Sequence, residues 1–157
     1  MGKIIDIHIH LTPHRFSEVA LTGKDWYGMT AEDGELDNPK NLWTTERRIE
    51  EMDRIGLDTQ MVSPTDVFYQ YNQEPEVTAK IASECNEEIS ELSRGHPDRF
   101  MGLGTLPMQD IPLALTEMEK GMTKLGLKGF MIDDHVNGLT YDDPAFEPFW
   151  SLAERLG

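Results

Sequence analysis

The stretch Lys3-Ile4-Ile5-Asp6-Ile7-His8-Ile9-His10 decides the reading of this chain. It is short, rich in β-branched residues and polar at alternate positions, so it predicts a first strand over residues 3–10. Alternation places Asp6, His8 and His10 on one face, with the two imidazoles about 7 Å apart along the chain. Two neutral imidazoles at that spacing can share one divalent cation, and the adjacent carboxylate can orient one of them or complete the shell. A strand otherwise made of isoleucine is expected to be buried, where unpaired polar groups in series are costly. Metal ligation is therefore the expected role of His8 and His10.

Working outward, clusters of Gly, Pro, Asn and Asp divide the rest into alternating helix-like and strand-like pieces. Residues 44–55 read as a helix ended by Gly56, with Ile49, Met52 and Ile55 on one face. Residues 59–63 form a second short strand closed by Pro64. Residues 75–94 form a long amphipathic helix with Val77, Ile81, Cys85, Ile89 and Leu92 on one stripe. Residues 100–104 are a third strand, Asp110 caps a helix running to about Leu125, residues 127–132 are a fourth strand, and Asp143-Pro144 opens a last helix.

Four β-α units imply a parallel sheet with right-handed crossovers, either an open doubly wound sheet or the first part of a (β/α)8 barrel. A full barrel takes about 250 residues, so 157 residues supply about half of one. In both architectures ligand groups gather at the carboxyl ends of the strands. Those places hold His8 and His10, Ser63-Pro64-Thr65, Thr105-Leu106-Pro107, and Asp133-Asp134-His135-Val136-Asn137. Residues 11–43 form an oversized connection where about 2 to 6 residues are usual. They carry Phe16, Trp26, Tyr27 and Trp43 and read as a lid or binding loop within a single domain spanning 1–157.

Composition narrows the function classes. With 29 acidic and 14 basic side chains the formal charge is −15, and the chain has no basic run, which disfavours nucleic acid and anionic membrane surfaces as partners. The apolar runs fall far short of the roughly 20 residues that span a bilayer, and the charged start does not fit a secretory peptide. Cys85 is the only cysteine, which excludes an intrachain disulfide and suits the cytoplasm.

Among the other polar residues, His14 reads as a surface histidine and His96 as part of a turn at the opposite end of the sheet. His135 and Asn137 follow the fourth strand on the functional face and are candidate substrate-binding groups, with a solvated loop as the competing reading. Helical geometry separates Arg47 from Arg48: Arg48 shares the apolar stripe of Met52 and Ile55, whereas Arg47 aligns with Glu51 and Arg54. An inward arginine in the first turn of a helix that follows a strand lies near the strand's carboxyl end and can grip a carboxylate bidentately. Its alternative is an apolar stem covering the core edge with the head in water. Cys85 reads as a packing residue, and Gly102-Leu103-Gly104 lies inside a strand, so a dinucleotide site is weakly supported.

The ordered set of motifs resembles the amidohydrolase superfamily, in the branch of aminocarboxymuconate-semialdehyde, resorcylate and carboxyvanillate decarboxylases. It comprises Asp6-Ile7-His8-Ile9-His10, Arg48-Ile49-Glu50-Glu51-Met52-Asp53, His96-Pro97-Asp98-Arg99-Phe100, Gly104-Thr105-Leu106-Pro107, Gly126-Leu127-Lys128-Gly129-Phe130 and Asp142-Asp143-Pro144. The resemblance implies a (β/α)8 barrel with one divalent metal, Zn foremost with Mn or Mg as alternatives, held by residues matching His8 and His10. It also implies that Arg48 meets the carboxylate of a small-molecule substrate. The family completes its metal site with a histidine on the fifth strand and an aspartate on the eighth, and carries an acid/base histidine on the sixth, all beyond the span of this chain. The expected function is non-oxidative decarboxylation of an aromatic or unsaturated carboxylate. A metal-dependent hydrolase or hydratase on the same scaffold and a non-catalytic half-barrel module are the alternatives. The expected partner is a second copy or a complementary carboxyl-terminal half.

Overall fold

The computed structural model describes residues 2–157. Three strands, β1 (Ile5–Leu11), β2 (Thr59–Pro64) and β3 (Phe100–Gly102), pair in parallel in the order β1-β2-β3. Five helices connect and cover them: α1 (His14–Ala20), α2 (Thr45–Ile55), α3 (Pro75–Gly95), α4 (Ile111–Lys120) and α5 (Glu147–Leu156). Their limits follow local chemistry. The Thr44 hydroxyl accepts from the Arg47 N–H to start α2, and Gly56, at φ 75°, ends it in the left-handed region. Pro75 occupies the first turn of α3, where its missing N–H costs nothing. Asp110 caps α4 through the Leu113 N–H at 3.0 Å.

The expected fourth strand over 127–132 is reduced to a single bridge between Gly104 and Phe130. Its backbone still runs beside β3, through Lys128 N–H to the Gly102 carbonyl at 2.8 Å, Gly104 N–H to Gly129 at 3.0 Å and Met131 N–H to Gly104 at 2.8 Å. Gly129 departs from strand geometry at φ 154°, and only one side of the segment has a paired neighbour, so regular pleating is lost while the place in the sheet is kept.

The core lies between the sheet and its helices, where Met52, Leu57, Val62, Ile89, Phe100 and Leu127 pack together. Behind β3, the fully buried Asn86 holds both backbone groups of Thr105. Its Oδ1 accepts from the Thr105 N–H at 2.7 Å, and its Nδ2 donates to the Thr105 carbonyl and to Glu117, each at 2.9 Å. Burial pushes the Glu117 carboxyl above its usual range. A Cβ on Gly104 would sit 2.5 Å from Asn86 Oδ1, so glycine is what lets this clasp close over the end of β3.

Residues 11–43 are more ordered than an open connection. They contain α1, a bridge between Trp26 and Met29, and a 3-10 turn at Pro39–Leu42. Phe16, Trp26, Met29 and Leu36 are buried with Phe68, Ile81 and Cys85 in a second core. Arg15 pairs with Glu87 and Glu91 of α3 at 3.1 and 3.2 Å, and the Tyr27 hydroxyl donates to Glu84 at 2.6 Å. Phe16 packs edge-to-face with both Trp26 and Phe68. The segment is thus fastened along α3 by apolar burial and ion pairs together.

β1 also differs from a buried strand. It stands at the edge of the sheet, with Ile5 45% and Ile7 69% exposed. Its register against β2 slips between Asp6 and Ile9: Asp6 pairs with Gln60 but Ile9 with Val62, so β1 carries one extra residue there. Gln60 and Val62 share a face of β2, which puts Asp6 on the face of Ile9 and opposite His10. The one-face grouping expected for Asp6, His8 and His10 therefore loses Asp6.

Candidate metal and carboxylate site

The bulge contains the first of the two histidines and ends just before the second. His8 and His10 lie side by side, ring centroids 5.0 Å apart and nearly perpendicular at 84°. Asp6 does not reach across to the pair; its Oδ1 accepts from the backbone N–H of His8 at 3.1 Å and braces the bulge from within the strand. His10 is in register with Ser63, the penultimate residue of β2, and Ser63 Oγ lies 3.2 Å from His10 Nδ1.

Arg48 enters from the first turn of α2. It is 7% exposed, and its Nη2 donates to the His10 carbonyl at 3.0 Å. Its Nε is buried without a partner, and among the described residues no carboxylate forms an ion pair with it. Burial lowers its affinity for its proton. Arg47, one residue earlier, faces water, pairs with Glu50 at 3.1 Å and lies over the Trp43 ring at 5.5 Å. The opposite fates of the two arginines match the helical-face expectation, although the partner of Arg47 is Glu50.

His135 and Asn137 fall in a different cluster. They border a polar pocket of about 300 Å³ with Asp66, Tyr69, Tyr71 and Asp133, and neither its walls nor their hydrogen bonds include His8, His10 or Arg48. His135 Nδ1 meets the Asp134 carboxylate at 2.6 Å, which raises the imidazole pKa and holds the Asp134 carboxyl low. Asn137, at φ 50°, donates its amide to the Tyr71 carbonyl at 2.8 Å, so it ties the loop after residue 132 to the loop after β2. Among the described residues, Asp133, Asp134 and His135 are the group that brings three potential ligand atoms within 4.8 Å of one another; His8 and His10 form a pair without a third.

The remaining candidates fall where the sequence reading placed them. His14 is exposed, His96 lies edge-on to Phe100 in the turn before β3, and Cys85 is buried, with burial pushing its thiol pKa well up. Among the described residues no helix is long and apolar enough to cross a membrane. Ser63 was visible in the sequence only as a residue at a strand end. Its pairing with His10 depends on the register between two strands about 50 residues apart, which a single sequence does not display.

The residues present fit part of a metal centre. Two imidazoles are adjacent, one ring meets Ser63 at Nδ1, and the buried Arg48 guanidinium donates to the backbone beneath that ring. A catalytic divalent site usually takes three protein ligands, so these two account for a portion of one.

A parallel β-α sheet with adjacent histidines on its first strand and a buried arginine behind them is arranged as the first half of a (β/α)8 barrel. The chain belongs to the amidohydrolase family, whose model matches residues 5–157. It is 32% identical over 170 residues to the 2-amino-3-carboxymuconate-6-semialdehyde decarboxylase of Dictyostelium discoideum, covering 98% of this chain and 46% of that protein. Its fold is similar to that of 5-carboxyvanillate decarboxylase from Sphingomonas paucimobilis, with a TM-score of 0.80 and 28% identity over 98% of this chain and 49% of the other. It is also similar to a dihydroxybenzoic acid decarboxylase from Polaromonas with bound manganese and the inhibitor 2-nitroresorcinol. That likeness has a TM-score of 0.77 and 25% identity, covering 99% of this chain and 47% of the other. The chain spans about half the length of these relatives, and its β-α order is that of the first half of a (β/α)8 barrel.

Proposed function

We propose that this chain provides the amino-terminal half of a metal-dependent, non-oxidative decarboxylase acting on an aromatic or unsaturated carboxylate. The observation that carries this reading is Arg48: a buried guanidinium with no carboxylate partner, beside two adjacent imidazoles. A buried cation left without an anion is costly, and a substrate carboxylate would offset that cost. The similarity to three decarboxylases of carboxylated substrates supports the same chemistry.

In this reading His8 and His10 hold a divalent ion, Zn or Mn, with Mg less suited to imidazole. Such an ion, when bound, supplies Lewis-acid stabilisation of the negative charge left as CO2 departs, with no change of valence. Arg48 receives the carboxylate through the guanidinium edge not used on the His10 carbonyl. Residues 11–43, fastened to α3, form a fixed wall around the strand ends rather than a swinging lid. His135 and Asn137 border a separate polar pocket, where they would meet the outlying polar groups of a substrate. The proton that replaces CO2 comes from the portion of the barrel this chain does not span.

Decarboxylation and hydrolysis on this scaffold are separated by their products. The complete protein, incubated with an ortho-hydroxylated benzoate or a carboxymuconate-type substrate, is expected to release one CO2 per turnover. It is expected to lose that activity on chelation and recover it with Zn or Mn. Incorporation of labelled water without CO2 would replace this reading with the hydrolytic one.

The exposed row on β1 also bears on partners. Ile5 and Ile7 lie at an open sheet edge, and apolar area is worth about 25 cal/mol per Å² when buried. The charge of −15 opposes association but is screened beyond about 8 Å at physiological salt. The 157-residue chain by itself is therefore expected to bind a complementary half or a copy of itself. Light scattering that shows a cooperatively unfolding monomer would remove this proposal.

A further inference from the structure

The two histidines are held very differently. The ring of His8 is exposed and its nearest aromatic neighbour is the His10 ring. His10 is fixed twice, its carbonyl by Arg48 Nη2 at 3.0 Å and its ring nitrogen Nδ1 by Ser63 Oγ at 3.2 Å. Ser63 is only 2% exposed, lies in register with His10, and precedes Pro64 in the last pair of β1–β2 positions. Its hydroxyl therefore has little freedom to leave the ring, and the backbone beneath the ring has little freedom to turn.

We infer that Ser63 is a positioning residue that engages Nδ1 of His10 and so leaves Nε2 as the nitrogen offered to a cation. A neutral imidazole has one N–H and one lone pair; the Ser63 hydroxyl can donate to Nδ1 or accept from it, and a cation on Nε2 selects the form in which Nδ1–H donates. With Nδ1–H donating to Ser63 Oγ, the lone pair sits on Nε2. His10 is thus the preset ligand of the pair and His8 the adaptable one. The inference rests on the metal reading proposed above. It extends that reading from which residues bind to which atom binds, and to a residue outside the ligand set. Partners that orient a ligating histidine are worth about 10- to 100-fold in metal affinity.

The test uses the complete protein, Ser63→Ala and Ser63→Thr, with Zn2+ alone as the probe. Long-range proton–nitrogen NMR of the imidazoles distinguishes protonated from unprotonated ring nitrogens. With Zn2+ bound the parent is expected to show His10 protonated at Nδ1 and the Ala variant a mixture of the two protonation patterns. Zn2+ affinity is expected to fall about 10- to 100-fold in Ser63→Ala and to return in Ser63→Thr, which keeps the hydroxyl. A loss of packing alone would lower the melting temperature and leave the tautomer unchanged. Parent-like affinity and tautomer in Ser63→Ala, with His10→Ala abolishing Zn2+ binding, would overturn the role of Ser63 and leave the metal reading standing. Zn2+ binding unaffected by His10→Ala would overturn the metal reading, and with it the role of Ser63.

Discussion

Arg48→Ala is expected to lower kcat/KM of the complete enzyme by roughly 30- to 5,000-fold, corresponding to about 2 to 5 kcal/mol for breaking a buried charge pair. Arg47→Ala, by contrast, is expected to stay within about twofold, as a surface ion pair contributes little. The difference follows from burial. Arg48 is 7% exposed, has an unpartnered Nε and meets no carboxylate among the described residues, so a bound carboxylate would be its counter-ion. Arg47 pairs with Glu50 at the surface, where solvent already serves both charges. Because Arg48 also donates to the His10 carbonyl, its loss could act by loosening β1. Arg48→Lys separates the two effects. It retains a positive charge but not the planar fork, so carboxylate binding should remain impaired even where the fold and metal content match the parent. Thermal unfolding and metal analysis of each variant complete the comparison. Equal damage from Arg47→Ala and Arg48→Ala would show that the assignment of helical faces is wrong.

The contrast between those arginines was legible from the chain alone because α2 is a regular helix, and a period of 3.6 residues sorts neighbours onto opposite sides without tertiary information. The same holds for the caps at Gly56 and Asp110, where one backbone conformation or one side chain marks an end, while Thr44, read as the first helical residue, is the cap just outside it. The strand was harder. A period of two holds only while the ladder is regular, and a single extra residue between Asp6 and Ile9 moves Asp6 away from the histidine face. Nothing in Asp6-Ile7-His8 signals that residue, since a bulge is fixed by both strands together.

Two other departures have related causes. The segment over 127–132 has the composition of a strand, yet pairing on one side only and Gly129 leave it as a bridge. Residues 11–43 looked like a loop because their aromatics show no periodicity. Phe16, Trp26 and Met29 find their order against Phe68, Ile81 and Cys85, more than 35 residues away. In each case the missing information was a long-range partner. The cluster at Asp133, Asp134 and His135 illustrates the converse: local spacing alone brings potential ligand atoms together, while the pair supported by resemblance and by a buried arginine has only two members.

The complete protein carrying both His8→Ala and His10→Ala is expected to purify with less than about a tenth of the parent's metal and no measurable decarboxylation. A four-ligand Zn site is worth about 10–16 kcal/mol, so each ligand accounts for roughly 2.5 to 4 kcal/mol and removing two costs roughly 5 to 8. That corresponds to about four to six orders of magnitude in affinity. The single variants should divide unequally. His10 is anchored through Ser63 and Arg48, so His10→Ala removes a preorganised ligand, whereas an exposed His8 must be ordered by the ion itself. His10→Ala is therefore expected to lose more metal than His8→Ala. Substituting Asp133, Asp134 and His135 together should leave the metal content near that of the parent, because His135 is already paired with Asp134 and the cluster touches neither His8 nor His10. Elemental analysis after dialysis measures the four variants and the parent on one scale. Undiminished metal in the double-histidine variant, or its loss in the acidic-cluster variant, would transfer the metal centre from the end of β1 to the loop that follows residue 132.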